Sequence, residues 1–163
     1  MSAKKIILSF EDDFELDYHI LALHTSIEDF RLAFHLNRTL SIFFQREEKY
    51  RICINSNEYA NPRFYYSFND KHEFISYFLI ENKHQYSQKS EAAGLFADDE
   101  IITDTYFIEN DRKANFILIL KGESIDYKIA EISKKLKKEN FIRSIYIIPT
   151  DKIKNKHYYD LIA

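Results

Sequence analysis

Glycine and proline are almost missing from this chain, two of each in 163 residues. A backbone loop that cradles phosphate needs several positions free to take unusual dihedrals. Gly94 and Gly122 stand alone, so a glycine-rich nucleotide loop is excluded. Cysteine occurs once, at Cys53, and cannot form an internal disulfide, which suits a reducing cytoplasm. The run "YRICINS" around it reads as a strand, with Cys53 a small buried hydrophobe rather than a nucleophile. Six histidines are scattered and no pair has HExxH spacing. There is no GxSxG elbow and no paired-cysteine motif. No catalytic residue, no metal-ligand set and no cofactor is therefore expected. Long hydrophobic runs are also lacking. The opening "MSAKKIILSF" is too short for a secretory core or a membrane span, and Lys4 to Phe10 reads as a strand.

What is present is globular. Apolar residues make up 45% and charged residues 30%, which places the chain away from disordered compositions. One domain over residues 1–163 is expected, because a chain of this size buries roughly two thirds of its unfolded surface without a metal or disulfide. The aromatics are all Phe and Tyr, which suit half-buried strands.

Along the chain, Leu16 to Leu23 is strand or short helix. "TSIEDFRLAFHLNRTLSIFF" is a helix, with Ser26 and Asp29 at capping-box spacing. Its expected apolar stripe is Phe30, Ala33, Phe34, Asn37, Leu40 and Phe44. Asn37 interrupts that stripe and is expected buried, tied to main chain outside the helix. Strands follow in "KYRICIN", "RFYYSF" and "FISYFLIEN", with Phe64, Tyr66 and Phe68 on one face. Alternating Phe and Tyr there reads as core rather than as an RNA-stacking platform. Lys83 to Asp99 is polar and reads as the longest loop, with a helical turn around Glu91 to Phe96. "ITDTYFIE" and "NFILIL" are strands joined through "NDRKA" as a hairpin corner. In "GESIDYKIAEISKKLKKENF", Gly122 turns the chain and Ser124 caps a second helix. Its stripe is Ile125, Ile129, Ile132 and Leu136. "IRSIYII" is the last strand, ended by Pro149, and the strand-helix-strand unit suggests a parallel pair. The fold class is α+β, one mostly antiparallel sheet with two amphipathic helices.

The stretch "IENDRKANF", Ile108 to Phe116, followed by "ILIL", resembles the signature of the IPExxxVDY family of small Bacteroidota proteins. "DYHILALHTSIEDFRLAFHLN", "YFLIENK" and "SIYIIPTDKIKNKHYYDLI" are similar to that family's other stretches, in the same order. The departures are Glu109 for the family's Pro, Asn110 for its Glu and Asn115 for its Asp. An amide is no general base, so chemistry by those acids would be lost here. The resemblance implies no assigned activity.

Charge is uneven. Glu11 to Asp29 holds seven acids and no Lys or Arg, whereas Lys128 to Lys156 holds nine Lys and Arg against three acids. The reading is a non-enzymatic cytoplasmic interaction module that binds a protein partner or pairs with itself as a homodimer, with no membrane contact. The alternative is a nucleic-acid-associated protein. Its contact surface would be Lys134, Lys135, Lys137, Lys138, Arg143, Lys152, Lys154 and Lys156.

Overall fold

The computed structural model describes residues 18–55, 58–69, 74–89, 100–123 and 125–153. It is α+β. The strands are β1 (Tyr18–His24), β2 (Gln45–Arg46), β3 (Ile52–Asn55), β4 (Glu58–Ala60), β5 (Phe64–Asn69), β6 (Ile75–Glu81), β7 (Lys83–Lys89), β8 (Glu100–Tyr106), β9 (Phe116–Lys121) and β10 (Ser144–Ile148). The helices are α1 (Asp29–Leu40) and α2 (Ile125–Lys137). Six strands form the main sheet, in the order β10-β1-β9-β6-β5-β2, and β3-β4 and β7-β8 are two-stranded ribbons.

The run "FILIL" dictates the centre. A strand with no polar interruption must be covered on both faces, and β9 lies between β1 and β6 with five successive buried residues. Its Phe116, Leu118 and Leu120 join Leu21, Leu23, Tyr77 and Leu79 on the face that α1 and α2 cover. Its Ile117 and Ile119 join Ile20, Ala22 and Ile80 on the opposite face, covered by Ile52, Phe107, Ile108 and Ala114. Each large aliphatic so buried contributes about 1.5–3 kcal/mol, so both layers are needed to hold the sheet. In α2 the expected stripe of Ile125, Ile129, Ile132 and Leu136 is the buried one.

Several expectations are corrected. In α1 the buried residues are Asp29, Leu32, Ala33 and Leu36, while Phe30 and Phe34 are each 57% exposed. Two overlapping 3.6-residue stripes exist there, and the aliphatic one wins the core. The helix cap is Glu28 without a side-chain bond, not a Ser26–Asp29 box. Asn37 is half-buried rather than buried, but its Oδ1 accepts the Phe44 N–H at 2.7 Å, main chain beyond the helix as expected.

Lys83–Lys89 is not loop but strand β7, held to β8 by cross-strand pairs such as Lys83–Asp104 at 2.9 Å and Gln85–Asp104 at 2.9 Å. The turn at Glu91 to Phe96, the strand at Lys4 to Phe10 and the Ser124 cap lie outside the described residues. No parallel pair forms, because β9 and β10 both run antiparallel to β1, which separates them. Cys53 is exposed rather than buried. On β5, Phe64 is buried on one face and Tyr65 and Ser67 on the other, while Tyr66 and Phe68 are exposed. Gly122 is required by close approach, since a Cβ there would lie 2.9 Å from the Phe74 carbonyl oxygen.

Candidate interaction surface

The segment "IENDRKANF" is not a hairpin corner. Its preceding strand, β8, pairs with β7, and its following strand, β9, sits in the main sheet, so the segment crosses between sheets. It forms a short 3-10 turn at Glu109–Asp111 and lies as a strap across the end of β6. Asn82, fully buried just after β6, fixes it. The Asn82 Nδ2 donates to the carbonyl oxygens of Asp111 at 2.7 Å and Ala114 at 3.0 Å, and Oδ1 accepts the Ile108 N–H at 2.9 Å. Its own main chain accepts from Phe107 at 2.8 Å and donates to Asn115 at 2.9 Å. Asn115 in turn accepts the Thr25 N–H on Oδ1 at 2.9 Å and donates its N–H to Leu23 at 3.0 Å. Buried backbone groups must be paired, and here one amide side chain pairs three backbone groups, two of them buried. The strap is structural, and Ala114 and Phe116 are buried at its end.

Beside the strap, where α1 begins, lies a hollow of about 580 Å³. Its charged lining is Glu28, Asp29, Glu81, Arg63, Lys83 and Arg112, three of each sign. Asp29 is buried, accepting from the Tyr65 hydroxyl at 2.7 Å and from Arg63 at 3.3 Å. Burial first, then the bond to Asp29, raises the Tyr65 pKa to about 12. Burial also pushes the Glu81 carboxyl upward, against the pull of the Arg63 N–H and charge. Lys83 is paired with Asp104, and the Arg112 guanidinium lies 5.2 Å from the Tyr106 ring centre. The six charges cancel, so the hollow does not select a polyanion.

A second polar chain joins the strap to the sheet edge. The Tyr146 hydroxyl donates to the Asp111 carboxylate and lies 3.3 Å from His24 Nε2. Burial first, then that bond, raises the Tyr146 pKa further from neutrality.

The outward face of the helix layer differs from both. Phe30 and Phe34 stand one turn apart on α1 with Arg31 and Arg38 exposed beside them. The Arg38 guanidinium sits 6.0 Å from the Phe34 ring centre, and Phe34 meets His35 edge-on at 5.7 Å. His35 stacks on Phe141 at 4.8 Å, and Thr39 donates to Glu139 at 3.2 Å, which joins α1 to the end of α2. On α2, Tyr127 is 86% exposed. Lys134, Lys135, Lys137, Lys138 and Arg143 are all exposed, with Lys135 paired to Glu131 at 2.8 Å. Of the other expected contact residues, Lys152 ends a 3-10 turn, and Lys154 and Lys156 lie outside the described residues. Phe30 also lines the hollow at the start of α1, so the two features are continuous.

Among the described residues no three His, Cys, Asp or Glu side chains converge to hold a metal ion. No helix among them is long and apolar enough to cross a membrane. Sequence reasoning missed Asn82 and the exposure of Phe30 and Phe34. The second could have been found from the aliphatic stripe Leu32–Ala33–Leu36, which leaves the aromatics on the other side. No protein-family model matches the chain, and no curated protein or solved structure matches it either.

Proposed function

We propose that this chain is a non-enzymatic cytoplasmic interaction module and a divergent IPExxxVDY-type protein. It binds a protein partner through the outward face of its helix layer. One observation carries the reading: two Phe rings on α1, each 57% exposed, stand one turn apart beside Arg31 and Arg38. Single exposed apolar residues are ordinary, but adjoining aromatics rimmed by Arg have the composition of interface hot spots. The spent hydrogen bonds of Asp29, Asn82 and Asn115 support a structural role for these polar groups rather than chemistry. The test is affinity capture from the native host with wild-type protein and with Phe30→Ser/Phe34→Ser. The reading expects a partner, or a second copy, that is retained by wild type and lost by the variant. Equal capture by both overturns it.

A further inference from the structure

We infer that the hollow beside the strap binds a small zwitterion with an apolar side chain, a free apolar amino acid or a short peptide of such residues. The inference is independent of the partner reading. It starts from which lining charges are already used. Arg63 donates to Asp29 at 3.3 Å, and its main-chain N–H and its Nε lie 3.5 and 3.9 Å from the Glu81 carboxylate. Asp29 also accepts from the Tyr65 hydroxyl at 2.7 Å, and Lys83 is paired with Asp104 at 2.9 Å. Those four charges are satisfied within the protein. Two are left, and they differ in sign. The exposed Glu28 carboxylate makes no cap bond to α1 and meets no cation among the described residues. The exposed Arg112 guanidinium has the Tyr106 ring against it but no carboxylate among the described residues. Asn115 uses its Oδ1 on the Thr25 N–H, which leaves its Nδ2 as a donor. Glu28, Arg112 and Asn115 all line the same hollow of about 580 Å³.

The ligand chemistry follows from that set. A carboxylate needs donors, and Arg112 with the Asn115 amide supplies them, the guanidinium bonds being charge-assisted. An ammonium carries only donors and needs an acceptor, which Glu28 supplies. A ligand with one charge would leave either Glu28 or Arg112 without a partner. The apolar part of the lining is Ile27, Phe30, Ala114 and Phe116, with Phe30 57% exposed and free to cover a side chain. A few polar groups set against an apolar wall, in a hollow of several hundred Å³, is the usual make-up of a small-molecule site.

Isothermal titration calorimetry with the full chain at neutral pH tests this. The zwitterionic probes are L-leucine and leucyl-leucine, which carry the same two charges at different separations. N-acetyl-leucine lacks the ammonium, leucine methyl ester lacks the carboxylate, and glycine lacks the side chain. Leucine or leucyl-leucine should bind saturably and at least about tenfold tighter than these three, and the tighter of the two distinguishes free amino acid from peptide. Glu28→Gln and Arg112→Ala should each weaken that binding about tenfold. Lys113→Ala, exposed on the strap and outside the hollow, should bind like wild type. Far-ultraviolet circular dichroism melts show that the variants remain folded, as expected for exposed positions. The assignment is overturned if neither zwitterion saturates by about 10 mM. Binding of N-acetyl-leucine or the methyl ester as tight as that of the zwitterions also overturns it, as does wild-type affinity in Glu28→Gln and Arg112→Ala.

Discussion

Replacing Asn82 with Ala should be among the most damaging single changes in the described chain. The side chain is fully buried and pairs three backbone groups of the strap. Two of those groups, the Ile108 N–H and the Ala114 carbonyl, belong to residues at most 2% exposed. Water reaches neither without the strap lifting. The Asp111 carbonyl is nearer the surface and can be resolvated. Each orphaned buried group costs about 1–3 kcal/mol, so the pair sets a loss of about 4 kcal/mol. For a chain of this size that lowers the melting temperature by about 10 °C. Urea unfolding with an unchanged m-value measures the loss. Hydrogen exchange should speed up at the Ile108 amide before it does at β9.

Asn82→Asp separates hydrogen bonding from shape. The carboxylate still accepts from Ile108 but faces two carbonyl oxygens, so it should also destabilise near neutrality. Burial and those carbonyls raise its folded pKa, so part of the loss returns as pH falls through that value and the protonated carboxyl donates. An Asn82→Ala protein within about 1 kcal/mol of wild type, with unaltered exchange across residues 107–115, would refute the reasoning.

Tyr65→Phe removes a donor from the buried Asp29 carboxylate and should cost about 1–3 kcal/mol at neutral pH. It should also flatten an alkaline slope: the unfolded phenol ionises near 10 and the folded one at about 12, so wild-type stability is fully present below pH 10 and falls between those values. A pH series of denaturant midpoints checks both parts. Gly122→Ala places a Cβ 2.9 Å from the Phe74 carbonyl oxygen and should cost about 1–3 kcal/mol by calorimetry. Phe116→Ala, a buried ring, should cost about 3–5 kcal/mol. Asn115→Asp, which restores a family-like acid and keeps the acceptor for Thr25, should cost under about 1 kcal/mol. Thermal unfolding of that pair reverses the structural account of the strap if the order is inverted.

The legible parts of this fold are those whose pattern has one solution. "FILIL" admits only a covered strand, and Ile125, Ile129, Ile132 and Leu136 admit only one buried stripe. In α1 two stripes compete, and larger aromatic side chains suggested the wrong phase. What decides it is the flat sheet face, which takes Leu32, Ala33 and Leu36 and leaves Phe30 and Phe34 in water. Strand β8 was legible in "ITDTYFIE", but its partner β7 was not, because the ribbon's strength comes from cross-strand polar pairs, not from apolar alternation. Asn82 was illegible for a different reason. At the end of a strand an Asn looks like a turn residue, and its partners lie 26 to 32 positions later. The proposed contact surface was half visible: the exposed lysines of α2 were expected, whereas the exposed aromatics of α1 read as core.

Site-specific photocross-linking in the native host tests the contact surface most directly. A benzoylphenylalanine placed at position 34 on α1 is compared with one at position 59, where Tyr59 is 52% exposed on β4, in the ribbon whose Ile52 packs on the sheet face opposite the helices. The account predicts a discrete cross-linked species from position 34 and none of that size from position 59. Cross-linking from position 59 alone, or the same adducts from both positions, would contradict it.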